Sequence, residues 1–196
     1  MKERPILFAA PMVRAILNGS KTQTRRVVKG FALELLAPDN FTPEYVALPE
    51  NGNSPFGYAG DRLWVREAWR TVAGADDIAP RNLMNVESFT HYEADKSKPS
   101  GMGKLRPSMF MPRWASRINL EITGVRVERL ADISKDDAMA EGIVLQPDGG
   151  FGLADTTHYN FCDPTYSYAS LWESINGAGS WDENPWVWCV EFRRIP

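Results

Sequence analysis

Residues 118–130 read INLEITGVRVERL and alternate apolar with polar side chains along most of their length. A period of two is typical of a strand with one buried face, so this segment is expected to form a long strand. Gly124 interrupts the alternation and is expected to mark a β-bulge. The segment therefore predicts that a sheet forms the centre of the fold.

Other strands are expected on both sides of this segment. Short apolar runs predict strands over residues 6–10, 63–69 and 186–192, and the basic residues 21–28 are compatible with another. Such strands show no βαβ alternation, and the chain has neither a P-loop nor a Rossmann glycine fingerprint.

Helices are expected between these strands. Pro11 suits the first turn of one helix. Ser134 and Asp137 have the spacing of a capping box before a second helix that ends at Gly142, and residues 166–175 are compatible with a third. The pattern predicts an α+β fold, a small mixed β-barrel with two or three flanking helices.

A chain of 196 residues suits one domain, here residues 1–196. Three polar or Pro/Gly-rich segments, about 31–59, 71–108 and 146–164, are expected to be long loop insertions in it.

Composition excludes several classes of protein. With 43% hydrophobic and 24% charged residues, the chain is not expected to be disordered. No stretch approaches the roughly 18–20 apolar residues of a membrane span. Residues 1–5, MKERP, lack the features of a signal peptide. A soluble, cytoplasmic protein without a membrane partner is expected.

Two cysteines and two histidines restrict the available chemistry. Cys162 and Cys189 are expected to be reduced thiols, packed or in loops. His158 and Cys162 lie close in sequence but lack a third ligand nearby, so neither a metal site nor a cofactor is expected. A cysteine nucleophile with a distant histidine remains an alternative.

Charge is distributed unevenly along the chain. Residues 1–30 carry seven Lys or Arg and one acid, and residues 104–129 carry six and two. Residues 130–191 reverse the sign, with eleven Asp or Glu and one Lys. The two basic segments predict either one anion-binding patch or ordinary surface charge with ion pairs.

The densest candidate site is residues 19–26, GSKTQTRR. In an extended chain alternate residues share a face, with Lys21, Gln23 and Arg25 on one and Thr22, Thr24 and Arg26 on the other. A turn before the strand would still bring the Lys21 amine beside the Thr24 hydroxyl. A lysine among positive neighbours has a lowered pKa and can act as a base toward a hydroxyl nucleophile. Phosphate binding or simple solvation are the alternatives.

Four motifs, in order along the chain, resemble those of the ASCH domain family, which has a PUA-like β-barrel fold. They are residues 17–25 (LNGSKTQTR), 60–65 (GDRLWV), 137–142 (DAMAEG) and the closing strand 187–192. The long loops resemble those of larger bacterial and phage-encoded members.

The resemblance implies metal-independent amidohydrolase activity on an acylated pyrimidine nucleoside. Small bacterial members of the family remove the acetyl group from the exocyclic amine of acetylcytidine. Their catalytic residues match Lys21, Thr24 and Glu141 here. Thr24 would attack the amide carbonyl, Lys21 would take and return its proton, and Glu141 would orient Lys21 or protonate the leaving amine. Without the resemblance, Glu141 is equally interpreted as an exposed residue at a helix end.

Seven further residues are expected to bind substrate: Arg25, Arg26, Arg66, Glu67, Trp69, Arg113 and Trp114. The two consecutive arginines suit a phosphate of a nucleotide or RNA, and the two tryptophans suit stacking on a base. Tryptophans on strands are also typical of a core. Arg66 and Glu67 lie on opposite strand faces, so one of them is expected to point inward, which makes Glu67 a second candidate acid.

Two alternative functions would use the same basic residues. One is a non-catalytic module that binds RNA or a modified base, with an affinity that falls steeply as salt rises. The other is a nuclease built on the same lysine and arginines.

Overall fold

The strands and helices of the chain are taken from a computed structural model that describes residues 1–38, 40–83, 89–154 and 161–196. The strands are β1 (Glu3–Leu7), β2 (Gln23–Val27), β3 (Arg62–Arg66), β4 (Trp69–Arg70), β5 (His91–Tyr92), β6 (Asn119–Arg129), β7 (Ile143–Leu145), β8 (Phe151–Leu153) and β9 (Trp186–Ile195). The helices are α1 (Ala10–Leu17), α2 (Phe31–Leu35), α3 (Pro43–Ala47), α4 (Lys135–Ala140) and α5 (Pro164–Asn176).

Five strands form one mixed sheet in the order β1-β3-β6-β9-β2. Strand β1 is parallel to β3, and the other pairs are antiparallel. The α+β class is confirmed, but the expected closed barrel is wrong, because β1 and β2 remain the two edges of the described sheet. The Arg26 side chain, which donates from Nη2 to the Leu7 carbonyl at 2.6 Å, connects these edges where backbone pairing is missing.

The segment with the clearest alternation is the central strand. It forms β6, between β3 and β9, and its buried residues include Leu120 and Ile122. The pairing with β9 shifts register between Ile122 and Gly124, which confirms the expected bulge.

Helices α1, α4 and α5 are confirmed close to their expected positions. Helix α1 packs Val13 and Ile16 into the core. In α4 the Ser134 side chain accepts a hydrogen bond from the Asp137 backbone N–H at 3.1 Å, which is one half of the expected capping box. The Asp137 carboxylate instead binds side chains of the sheet, as described below.

The three segments that were expected to be loop insertions also contain helices and strands. Helices α2 and α3 lie within residues 31–59, and Val46 of α3 is fully buried in the main core. Residues 71–108 form short 3-10 turns and strand β5, and residues 146–164 include β8. Residues 155–160 of that last segment lie outside the described part of the chain. Within the described ranges, no helix has both the length and the apolar character to cross a bilayer.

We expect Gly142→Ala to destabilise the fold by about 1–3 kcal/mol. Gly142 follows α4 with a φ of +103°, and a Cβ there would lie 3.2 Å from the Cβ of Ala15. Gly149→Ala is the control, because Gly149 has a φ of +89° but open space around it. Denaturant unfolding gives both free energies, and equal losses would show that the close approach to α1 contributes nothing.

Candidate active site

A cavity of about 90 Å³ lies at the open edge of the sheet. Its walls come from Phe8 after β1, from β2, from the end of α4 and from α5. Five of the residues expected from the sequence line it: Lys21, Thr24, Arg25, Arg26 and Glu141. Residues next to both edge strands, β1 and β2, therefore line the same cavity.

Backbone hydrogen bonds hold the two motifs together. The N–H of Lys21 donates to the Ala15 carbonyl at 3.0 Å, and the N–H of Thr22 donates to the Ala140 carbonyl at 2.8 Å. Lys21 and Glu141 also form an isolated antiparallel bridge. The chain just before β2 thus lies against the ends of both α1 and α4, although 120 residues separate Lys21 from Glu141.

Lys21 and Glu141 form a buried ion pair. Lys21 Nζ donates to Glu141 Oε2 at 2.6 Å and to the Glu141 backbone carbonyl at 2.9 Å, and each residue is 3% exposed. Burial lowers the pKa of the Lys21 ammonium, the attraction of Glu141 opposes this, and the positive charges of Arg26 and Arg25 add to the lowering. Lys21 therefore loses its proton more readily than an exposed lysine.

The second carboxylate oxygen of Glu141 has two donors that sequence analysis did not connect to it. Arg25 Nη1 and the Tyr168 hydroxyl each lie 3.4 Å from Oε1. Burial raises the pKa of Tyr168 well above its usual range, so its hydroxyl keeps the proton that it donates. Tyr168 is a candidate site residue that was not predicted from the sequence, where its only signal is a place in the expected helix 166–175.

Arg25 forms ion pairs with acidic residues of β6 and of the 130–191 segment. Its Nη2 lies 2.5 Å from Glu128 Oε1 and 3.2 Å from Asp137 Oδ2. Gln23 Nε2 donates to Asp137 Oδ1 at 3.0 Å, so Gln23 and Arg25 share Asp137, whereas Lys21 and Arg25 share Glu141. Since its guanidinium is fully buried among carboxylates, Arg25 positions Glu141 and is not free to bind a phosphate.

We expect Asp137→Asn to cost about 1–2 kcal/mol of stability at pH 6 and less at lower pH. Burial raises the pKa of Asp137, but the Gln23 hydrogen bond and two guanidinium groups outweigh it and lower the pKa from 3.8 to about 2. Between pH 3.8 and about pH 2, the Asp137 carboxyl binds a proton more readily in the unfolded chain than in the folded one. The stabilisation is therefore present above about pH 4 and is lost as pH falls through about 2.

Urea unfolding of wild type and Asp137→Asn from pH 6 to pH 2 measures this difference. Asp136→Asn is the matched control, because Asp136 is an exposed aspartate in the first turn of the same helix. A difference that stays constant down to pH 2 would contradict the assignment to the Asp137 carboxylate.

Arg26 differs from Arg25 in having no carboxylate partner among the described residues. Its Nη2 is held by the Leu7 carbonyl and its guanidinium lies 5.3 Å from the centre of the Phe8 ring. Among the described residues no carboxylate oxygen lies within 4.0 Å of it, and its Nε is buried without a hydrogen-bond partner. Arg26 is therefore the cation of this cavity whose charge is available to a bound anion or oxyanion.

Five expected substrate-binding residues lie away from this cavity: Arg66, Glu67, Trp69, Arg113 and Trp114. Arg66 and Arg113 both lie over the ring of Trp64, at 4.6 and 5.7 Å from its centre. Arg113 Nε also lies 3.4 Å from Glu3 Oε2. These two arginines form a separate cation–aromatic cluster.

Glu67 and the two tryptophans belong to packing around the 71–108 segment. Of Arg66 and Glu67, one of which was expected to point inward, Glu67 is the buried residue. Its carboxylate accepts hydrogen bonds from the Arg117 guanidinium at 2.9 and 3.1 Å. Burial raises the pKa of Glu67, and Arg117 opposes this. Trp69 is fully buried with Met111 in a second core, and its ring meets that of Trp114 edge-on at 5.9 Å.

Among the described residues, no cysteine or histidine lines the cavity. Cys162 and Cys189 are both free thiols, Cys162 exposed and Cys189 buried, as expected of unpaired cysteines. Burial raises the pKa of the Cys189 thiol. His158 lies outside the described residues. Within the described ranges, no three His, Cys, Asp or Glu side chains are grouped as a metal site requires.

Comparison with known proteins gives no match: no protein-family model, curated protein or solved structure is significantly similar to this chain. The ASCH relationship therefore stays a prediction that depends on the four motifs.

Proposed function

We propose that this protein is a metal-independent amidohydrolase of the ASCH, PUA-like type that removes the acyl group from an acylated pyrimidine nucleoside such as acetylcytidine. The observation that carries the proposal is the Lys21–Glu141 contact of 2.6 Å in a cavity that Thr24 also lines. A buried lysine with a lowered pKa, a carboxylate that orients it and a hydroxyl in one cavity are the parts of a nucleophile activated by a base.

Acylation of the protein is the first half of the reaction. The neutral Lys21 amine takes the proton of the Thr24 hydroxyl while Oγ1 bonds to the acyl carbon, and the carbonyl electrons move onto the oxygen. The Arg26 charge stabilises this oxyanion. The carbonyl then re-forms and the C–N bond breaks. Lys21 gives its proton to the departing exocyclic nitrogen, so the free nucleoside leaves and an ester remains on Thr24.

Hydrolysis of that ester is the second half. The Lys21 amine takes a proton from water as the water oxygen bonds to the acyl carbon. The ester C–O bond breaks, the proton returns to Thr24 Oγ1, and the carboxylic acid leaves. Glu141 keeps the Lys21 amine in place through both halves, and Arg25 and Tyr168 hold Glu141 in turn.

The size of the cavity suits the reacting part of such a substrate. Its volume of about 90 Å³ is below the roughly 300–1,000 Å³ of pockets that enclose a whole ligand. We therefore expect the acylated edge of the base to enter, with the ribose outside at the mouth of the cavity.

The test is incubation of the purified chain with acetylcytidine and chromatographic detection of cytidine and acetate. We expect turnover that persists after dialysis against a chelator, because the three reacting side chains supply the proton transfers and the nucleophile. Absence of turnover on acylated cytidines by the folded protein would overturn the proposal. Loss of activity on chelation would overturn its metal-independent mechanism.

A further inference from the structure

Several buried charges of the described residues are paired with opposite charges, but Arg106 is not. The pairs are Lys21 with Glu141, Arg25 with Glu128, and Glu67 with Arg117. Arg106 is 4% exposed, yet among the described residues no carboxylate oxygen lies within 4.0 Å of it. A buried charge without a counter-charge is costly, so this arginine requires a separate explanation.

Neutral groups hold the Arg106 side chain. Nη1 donates to the Ile78 carbonyl at 3.0 Å and Nη2 donates to the Ala75 carbonyl at 2.6 Å. Its backbone exchanges two hydrogen bonds with Trp69. Arg106 Nε, Trp69 Nε1 and Thr71 Oγ1 are all buried without a hydrogen-bond partner. Three buried side-chain atoms that can donate hydrogen bonds thus lack a partner in the described structure around Arg106.

Arg106 lines a cavity of about 280 Å³ that shares no lining residue with the Lys21 cavity. Apolar side chains form part of its wall, among them Ile78, Leu105 and Phe110. Lys104 adds a second, exposed cation. The cavity thus combines a fixed positive charge with an apolar surface.

Two acids also line this cavity and limit the charge of a ligand. Asp76 Oδ1 accepts a hydrogen bond from the Lys104 backbone N–H at 2.9 Å, and Asp77 is exposed. Their repulsion is larger for a doubly charged phosphate than for a singly charged carboxylate. The apolar wall favours a ligand whose carboxylate is attached to an apolar body.

We propose that this cavity is a second binding site, which takes the carboxylate of a small organic acid with an apolar body. The carboxylate lies between Arg106 and Lys104 and supplies the counter-charge that no described residue gives Arg106. The apolar body lies against Ile78, Leu105 and Phe110. This site does not depend on the reaction proposed for the Lys21 cavity.

The test is a titration of the full chain with sodium benzoate at constant ionic strength, followed by NMR of the tryptophan indole N–H groups. We expect a saturable shift of the Trp69 resonance, because its indole ring lies 5.7 Å from the Arg106 guanidinium. Lys104→Gln should weaken binding about two- to fivefold, since it removes one exposed charge. Lys29→Gln, which removes an exposed charge elsewhere, should leave it unchanged.

Three outcomes would overturn the proposal. Absence of a saturable shift would mean that Arg106 only stabilises the turn at residues 75–78 through its hydrogen bonds to the Ala75 and Ile78 carbonyls. An equal response to inorganic phosphate would remove the preference for an apolar carboxylate. Equal effects of Lys104→Gln and Lys29→Gln would show that benzoate acts through general screening.

Discussion

Lys21→Ala should lower kcat for acetylcytidine hydrolysis by about 10²–10⁴-fold, the range for loss of a general base. The variant removes the amine that we propose accepts the Thr24 proton and leaves the other lining side chains of the cavity unchanged. The measurement is initial cytidine formation by chromatography over a range of substrate concentrations, which separates kcat from KM. Full activity of a folded Lys21→Ala protein would contradict the proposed function.

Folding has to be measured in the same preparation, because the substitution unpairs a buried carboxylate. Loss of one partner from a buried pair typically costs about 3–5 kcal/mol, and Arg25 Nη1, 3.4 Å from Glu141, should offset part of this. Lys29→Ala is the matched control: it removes an exposed lysine near the same strand and should retain wild-type kcat.

The pH dependence of kcat gives a second readout of the same amine. Because its folded pKa is lowered below the ordinary value of 10.5, activity should rise with pH as Lys21 deprotonates, with a midpoint below 10.5. A rising limb that is unchanged in Lys21→Arg would show that another group titrates.

The pairing of the basic segments weighs against the RNA-binding alternative. Arg25 and Arg126 bind Glu128 and Asp137, and Arg117 binds Glu67 and Asp95. Much of the charge counted in residues 1–30 and 104–129 is thus neutralised within the fold. A phosphate-binding surface needs cations that can release counterions from the nucleic acid, and paired arginines contribute little to that release.

Local sequence patterns predicted most of the main strands and helices, but the strand expected over residues 6–10 forms as Glu3–Leu7 and the one expected over 63–69 ends at Arg66. The alternation of residues 118–130 predicted β6 and its bulge at Gly124, and Pro11 predicted the start of α1. Closure of the sheet was not predictable in this way, because it depends on whether β1 and β2 approach within hydrogen-bond distance. The Arg26 side chain lies in that gap, and no local pattern reports such a contact.

Residues from one short segment and one family motif lie together at the cavity, although their roles stay predictions. Residues 19–26 supply four of the five expected residues that line the cavity, and the fifth, Glu141, was expected from the family motif. The different roles of Arg25 and Arg26 were not predictable, because they depend on which acids fold against each face of β2. Trp69 could not be placed from the sequence, because an aromatic residue on a strand is compatible with both a core and a stacking surface. In the structure Trp69 is fully buried in the second core.

Thr24→Ala should abolish turnover almost completely, with a loss in kcat of about 10³-fold or more, while the fold stays intact. Thr24 is 4% exposed and lines the same cavity as Lys21 and Glu141, so removal of its hydroxyl would leave the proposed base and its carboxylate without a nucleophile. Thr24→Ser keeps a hydroxyl at the same position and should retain much of the activity. The chromatographic assay used for Lys21→Ala measures all variants.

The chain provides a closely matched control for this prediction. Thr22 belongs to the same motif and is exposed on the surface, so Thr22→Ala should retain wild-type kcat. A burst of cytidine equal to the enzyme concentration, followed by slower turnover, would reveal the acyl ester on Thr24, and mass spectrometry of the quenched protein should find the added acyl group on that residue. Wild-type kcat in Thr24→Ala would instead mean that water attacks the amide directly, with Lys21 as its base and no ester formed.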